Sequence, residues 1–288
     1  MNIAELIKNG KFAVTAEVGP PKGVDIQEML DSAELMRDRV DAINATDQQS
    51  SVMRLGSLAS CRLLKERGLE PVFQVTCRDR NRIALQSDLL SAYVLGIENI
   101  LCLTGDFVAL GDHPQAKPVF DLDSVSLLQA ARKLEQGQDL AGKELTGAPH
   151  FCLGAVVTPG ADPLEPQLIK MEKKVKVGAQ FFQTQAVYEP EKFEKFMKAV
   201  EYLKVPVLVG IVLLRSAAMA RFMNKNVAGV HVPDNLLEEM EQAEKRAQKS
   251  VEIAARLIKE MKPLCQGVHI MAIGWEKRVP EVLDAAGL

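Results

Sequence analysis

Little in this 288-residue sequence marks a specialised class of protein. Its five cysteines, Cys61, Cys77, Cys102, Cys152 and Cys265, are odd in number, widely scattered and without a CxxC pair. That pattern excludes a disulfide frame and points to reduced thiols in a cytoplasmic chain. It also excludes an iron–sulfur cluster held by the chain itself. The four histidines, His113, His150, His231 and His269, share no metal-ligand spacing, so no dedicated metal site is expected. A net charge of −3 gives no basic stripe for nucleic acid. No apolar run approaches the ~20 residues of a membrane span. The start, MNIAELIKNGKF, is amphipathic and lacks the apolar core of an export signal. No GxGxxG follows a strand, and neither GxxxxGK[ST] nor GxSxG occurs. No Pro/Gly/Ser-rich linker divides the chain, so a single domain over 1–288 is expected.

What the chain does have is repetition. Eight short apolar stretches recur, the first six stopping on a polar residue: Phe12–Glu17, Asp41–Asp47, Pro71–Thr76, Asn99–Asp106, Phe151–Thr158, Ala179–Gln185, Val205–Leu213 and Gly267–Trp275. Segments of helical period lie between them. Asp25–Val40 carries one apolar face with Asp25 as N-cap; Ser51–Arg67, Asn81–Leu95 and Pro163–Val177 run up to Gly68, Gly96 and Gly178. Ser124–Leu134, Pro190–Leu203, Ser216–Asn224 and Asn235–Met261 complete the helical set. Nearly continuous apolar strands alternating with helices mean a parallel sheet covered by helices. Eight units predict an α/β fold, the closed (β/α)8 TIM barrel, with chemistry at the C-terminal ends of the strands.

The residues closing the strands are therefore the candidate site: Glu17, Asn44, Asp47, Gln74, Thr104, Asp106, Thr158, Gln183 and Gln185. No lysine closes a strand, which disfavours a Schiff-base aldolase. Glu17, in a partly desolvated mouth, suits a proton donor, or else an ion pair with a strand-end neighbour. Asp106 follows Gly105, which permits close backbone approach to a ligand; a turn or helix cap is the alternative. Gln183 and Gln185 share one face around Thr184, suited to a heterocycle with mixed donors and acceptors, or to a polar interior layer. The long loop after the fourth strand, Gly105–Asp123, lies on the predicted active face.

TAEVGPPKG, LTGD, HPQAKPVFDLDS and GAQFFQTQAVY, in this order, resemble the methylenetetrahydrofolate reductase family over about Phe12 to Trp275. The resemblance implies a flavoprotein barrel that reduces 5,10-methylenetetrahydrofolate to 5-methyltetrahydrofolate in one-carbon metabolism. It implies that Glu17 is the catalytic acid, Asp106 the aspartate near flavin and pterin, and Gln185 the pterin-binding glutamine, with Thr184 and Gln183 beside it. It places Asn44, Gln74, Thr104, His113 and Thr158 toward the flavin and Lys174 at the cofactor's phosphate region. Thr104, Gln74, Asp162 and Gln167 depart from the arginine, histidine, histidine and aspartate of many members, mostly on the adenosine side. FMN is thus slightly favoured over FAD. The chain is short at its C-terminal end and resembles the small clostridial and acetogen-type reductases, which work with an iron–sulfur and zinc partner subunit. The resemblance also admits a homo-oligomer. Two other readings stand beside it: a flavin-free pterin-binding barrel, such as an aldolase or methyltransferase-associated module, and a non-catalytic docking subunit of a redox complex.

Overall fold

The computed structural model describes all residues, 1–288. Eight parallel strands pair in sequence order: β1 (Ala13–Val18), β2 (Ala42–Ala45), β3 (Pro71–Thr76), β4 (Asn99–Leu103), β5 (Cys152–Val157), β6 (Phe181–Ala186), β7 (Val207–Val212) and β8 (Gly267–Met271). β8 pairs back onto β1 and closes the barrel. All eight expected strands are present. Helices follow the strands: α2 (Gln27–Leu35), α3 (Ser57–Glu66), α4 (Arg82–Val94), α5 (Ser124–Glu135), α6 (Glu165–Lys176), α7 (Pro190–Val200) and α8 (Ala217–Asn226); α2 ends at Leu35, short of the expected Val40, and α3 starts at Ser57 and not at Ser51, which has a left-handed φ of 58°. Gly68, Gly96 and Gly178 follow α3, α4 and α6 with φ of 74°, 79° and 108°, the left-handed turn that ends a helix.

Three further helical features differ from expectation. The segment Asn235–Met261 is two helices, α9 (Asp234–Gln242) and α10 (Arg246–Met261), because Ala243 is extended and turns the chain. Ile26, not Asp25, occupies the N-cap position of α2, although Asp25 Oδ1 still accepts from the Gln27 amide at 3.1 Å. The N-terminal amphipathic pattern is α1 (Ile3–Lys8), and a final helix, α11 (Val279–Ala286), packs on α10.

Alternation along the strands builds two cores. Outward residues such as Val14, Ile43, Phe73, Ile100 and Phe182 meet the helices in one large apolar cluster. Inward residues at the N-terminal end form a small plug: Ala13, Ala42, Val72, Leu101, Cys152, Phe181 and Leu208. Ile3 of α1 completes it, so the first helix seals the barrel floor. The Ile3 amide donates to Asn99 Oδ1 at 3.0 Å, which ties α1 to the start of β4. Gly154 makes room for Phe181, since a Cβ there would lie 2.3 Å from its ring. The floor is apolar and the mouth polar, which leaves the C-terminal end as the chemical face. No helix is long and apolar enough to cross a membrane, and the five cysteines are free and buried.

Candidate active site at the barrel mouth

Above the apolar plug lies a buried polar layer. Asn44 Nδ2 donates to Gln183 Oε1 at 2.8 Å, and Gln183 Nε2 donates to Asn44 Oδ1 and to Thr15 Oγ1, both at 3.2 Å. Thr15 Oγ1 also lies 3.0 Å from His269 Nδ1. His269 Nε2 is 3.7 Å from Glu17 Oε2. The chain of contacts crosses the barrel from β2 to β6, β1 and β8, and every member is buried. Asn44 and Gln183 thus satisfy one another beneath the mouth, as the polar-layer alternative foresaw. His269 is a member that residue spacing does not reveal, because it meets Glu17 only through closure of β8 on β1.

Two cavities open above this layer. One, of about 480 Å³, is lined by Glu17, the Pro20–Lys22 turn, Arg54 and Ile273. The other, of about 330 Å³, brings together Gln74, Thr104, Asp106, Thr158, Lys174 and Gln185, with Arg78 and Lys170. Gln49 borders both. These sizes suit small-molecule sites. Seven expected site residues, Asp47 among them, therefore converge on one cavity and Glu17 lines its neighbour.

Charge in the second cavity is mostly positive. Asp47, which closes the second apolar stretch, is consumed by structure: its carboxylate pairs with Arg80 at 2.8 Å and accepts from the Thr76 amide and hydroxyl. Lys174 is buried, and its Nζ donates to the Val156 carbonyl at 2.6 Å. Burial, with a smaller contribution from the like charge of Lys170, pushes its pKa down to about 8. Arg78, 2% exposed, pairs with Asp79, with Nη1 on Ser51 Oγ and Nη2 on the Gln48 carbonyl.

Some expected residues take structural positions. The Thr184 hydroxyl accepts from the Gly210 amide at 2.8 Å and donates to the Gln185 carbonyl at 2.7 Å. It fills a register shift between β6 and β7, a bulge that re-aims the strand end. Gln185 Oε1 accepts from the Ala186 amide at 2.9 Å, which leaves its NH2 group for the cavity it lines. Thr104 Oγ1 accepts from the Ser124 amide at 3.2 Å and so ties the end of β4 to the first residue of α5, whose N-cap is Asp123. His113 is exposed on the loop after β4, beside Asp112, and lines neither cavity. Gly105, with φ of 96°, is needed for close approach to protein as well: a Cβ would lie 3.0 Å from Arg78 Cβ and 3.1 Å from Thr76 Cβ.

That loop is latched. The Ser50 amide donates to Asp106 Oδ2 at 3.1 Å, and Ser51 Oγ donates to the Phe107 carbonyl at 3.0 Å. Asp112 binds Lys22 and accepts from the Met53 amide at 3.0 Å. Lys22, then His113 and the Met53 amide, hold the Asp112 carboxyl well below the usual carboxylate range. Gln48, Ser50 and Ser51 all have left-handed φ, between 51° and 58°. Such strain in non-glycine residues persists only where neighbours enforce it.

A parallel barrel whose strand ends place a buried glutamate beside an amide- and lysine-lined cavity is a member of the TIM-barrel enzyme class in form. The model of the methylenetetrahydrofolate reductase family matches residues 2–287, and the chain belongs to that family. It is 26% identical to methylenetetrahydrofolate reductase 2 of Schizosaccharomyces pombe over its whole length, covering 47% of that protein. It is 27% identical to the 5,10-methylenetetrahydrofolate reductase of Pectobacterium carotovorum subsp. carotovorum, over 68% of this chain and 60% of the relative. The chain thus spans about half the length of the curated relatives it matches. Among solved structures, an uncharacterized Clostridium thermocellum protein that binds two copies of 5-methyl-5,6,7,8-tetrahydrofolic acid has a TM-score of 0.68 at 16% identity, covering 99% of both chains. Oxaloacetate acetylhydrolase follows at a TM-score of 0.55 and 13% identity, covering 95% of this chain and 79% of that one. At such identities the likeness is one of fold.

Proposed function

We propose that this chain reduces 5,10-methylenetetrahydrofolate to 5-methyltetrahydrofolate with a non-covalently bound flavin. The observation that carries the reading is the placement of buried Glu17 next to the cavity shared by Asp106 and Gln185, in a chain of this family. The donor set of that cavity fits a flavin. Gln74 offers an amide edge to the ring system, and Lys170 and Lys174 offer cationic partners to a phosphate. Thr104, Asp162 and Gln167 depart from the family's adenosine-side pattern, which slightly favours FMN over FAD.

When bound, the flavin supplies hydride transfer. The protein's part is proton and charge management. Glu17 protonates a nitrogen of the imidazolidine ring, the ring C–N bond breaks, and its electron pair stays on that nitrogen. The carbon becomes an electrophilic iminium. Asp106 favours that positive charge, and Gln185 fixes the pterin edge. The substrate spans from the Glu17 cavity past Gln49 to the Asp106 cavity. Reducing equivalents arrive through a partner iron–sulfur subunit in the cytoplasm, which exposed Phe107 and Leu110 beside the mouth support.

The test is direct. Protein made in flavin-replete cells should be yellow, release FMN on acid treatment, and reduce methylenetetrahydrofolate with a chemical dye as donor. Recovery of no flavin would sink the reading and favour a flavin-free pterin barrel. Bleaching by NADH alone at the turnover rate would remove the partner from it.

A further inference from the structure

Gln49 is the one residue that lines both cavities at the mouth, the one with Glu17 and the one with Asp106 and Gln185. It stands exposed in the loop after β2, among residues held under strain. Gln48, Ser50 and Ser51 have φ of 51°, 55° and 58°, left-handed values that non-glycine residues keep only when their surroundings enforce them. Three neighbouring loops do so. Arg78 donates from Nη1 to Ser51 Oγ at 3.0 Å and from Nη2 to the Gln48 carbonyl at 3.2 Å. Gln48 Oε1 accepts from the Arg54 amide at 2.8 Å, and the Ser50 amide donates to Asp106 Oδ2 at 3.1 Å. The loop after β4 presses close at Gly111, where a Cβ would lie 1.8 Å from the Ser51 carbonyl oxygen. All of these contacts use the residues around Gln49. Its own side-chain amide bonds to no group of the protein. A free donor and acceptor is thus held between the cavities on backbone already ordered before any ligand arrives, which lowers the cost of using it.

We infer that Gln49 is a contact shared by two ligands: its side-chain amide bonds the flavin on one side and the folate on the other. The inference rests on the reading of these cavities as flavin and folate sites. An amide has two N–H donors and a carbonyl with two lone pairs, so it can serve two partners at once. Flavin and pterin are both heterocycles that mix ring nitrogens with carbonyl groups, and each offers it a match. The amide is also neutral. A charged side chain here would stand between the carboxylates of Glu17 and Asp106 and shift the charge balance of both cavities. Gln74 and Gln185 carry the same group, but each lines the Asp106 cavity alone. The strained loop accounts for the difference: it sets Gln49 on the wall that the two cavities share.

Two titrations test this. Cofactor-free protein takes up FMN, followed by flavin fluorescence, and FMN-loaded protein takes up 5-methyltetrahydrofolate, followed by calorimetry. Gln49→Met keeps the length of the side chain and removes the amide. It should raise both dissociation constants by about 5-fold each, the scale of one neutral hydrogen bond. The Ser50 amide should exchange with solvent as slowly as in the parent, because the Gln49 side chain holds none of the loop's bonds. A rise in only one constant, or in neither, overturns the inference. Faster exchange at Ser50 also overturns it, since the effect would then be one of loop shape. A parent that binds only one of the two ligands, or neither, overturns the reading of the function itself, and the shared contact falls with it.

Discussion

Asp106 Oδ2 accepts a hydrogen bond from the Ser50 amide at 3.1 Å, so one carboxylate both lines the cavity and clamps the strained loop after β2. Substitution can separate the two tasks. Asp106→Asn keeps an acceptor oxygen for Ser50 but removes the charge. Folate reduction should fall by about 10²-fold, the usual scale of one preorganised electrostatic contact. Amide exchange over residues 48–55 should match the parent. Asp106→Ala should lose activity and also speed that exchange. An Asn variant as active as the parent would show that Asp106 acts on the loop alone.

Glu17→Gln should bind folate as the parent does and lose reduction by about 10²–10⁴-fold, the range for removal of a general acid. The amide still fills the space beside His269 but has no proton of suitable acidity to give. Folate binding followed by calorimetry and folate turnover with a dye donor separate the two effects. Unchanged turnover would exclude Glu17 from the proton step.

The barrel was legible because strands buried on both faces read as apolar runs and glycine ends the helices between them. Strand ends were overshot where polar residues sit past the ladder: Asp47 and Asp106 lie beyond β2 and β4, in the loops that carry the site. The break between α9 and α10 has neither glycine nor proline at Ala243–Lys245, so periodicity ran straight through it. Partnerships were harder still. Asp47 and Arg80 are 33 residues apart, and His269 meets Glu17 only because the eighth strand returns to the first. Thr184 looked like a ligand contact, because nothing local announces that its hydroxyl fills a bulge.

The Asp47–Arg80 pair yields a stability prediction. Asp47 is fully buried in its side chain, and Arg80 is mostly so. Asp47→Ala leaves the guanidinium with Asp88, at 3.0 Å, as its remaining carboxylate partner and strips the Thr76 amide and hydroxyl of their acceptor. Breaking a buried pair from one side costs about 3–5 kcal/mol. Asp47→Ala together with Arg80→Met should recover part of that loss, because no buried guanidinium is left and the Asp88 carboxylate it also paired with is 30% exposed and open to water. Urea unfolding of parent, single and double variants measures the coupling. A single variant as stable as the parent would mean that water reaches Arg80 freely.

Lys174 gives a pH dependence whose sign is fixed by burial. Its pKa falls from 10.5 in the unfolded chain to about 8 in the fold, chiefly by desolvation. Between these values the unfolded state holds more protons, so this group makes stability rise as pH rises. Below about pH 8 the folded protein carries the full penalty of a buried ammonium; above 10.5 it carries none. The span corresponds to roughly 3 kcal/mol. Stability of the parent relative to Lys174→Met should therefore climb by about that much between pH 7 and 10.5, read from urea unfolding of the cofactor-free proteins. A phosphate bound there would work in the opposite direction. An anion beside Lys174 stabilises the charged form, so a phosphate-bearing ligand should hold tightest below pH 8 and weaken above it, a trend that Lys174→Met abolishes. A stability difference that stays flat across this range would show that the Lys174 ammonium is solvated in the folded protein, and the cavity would lose its claim as an anion site.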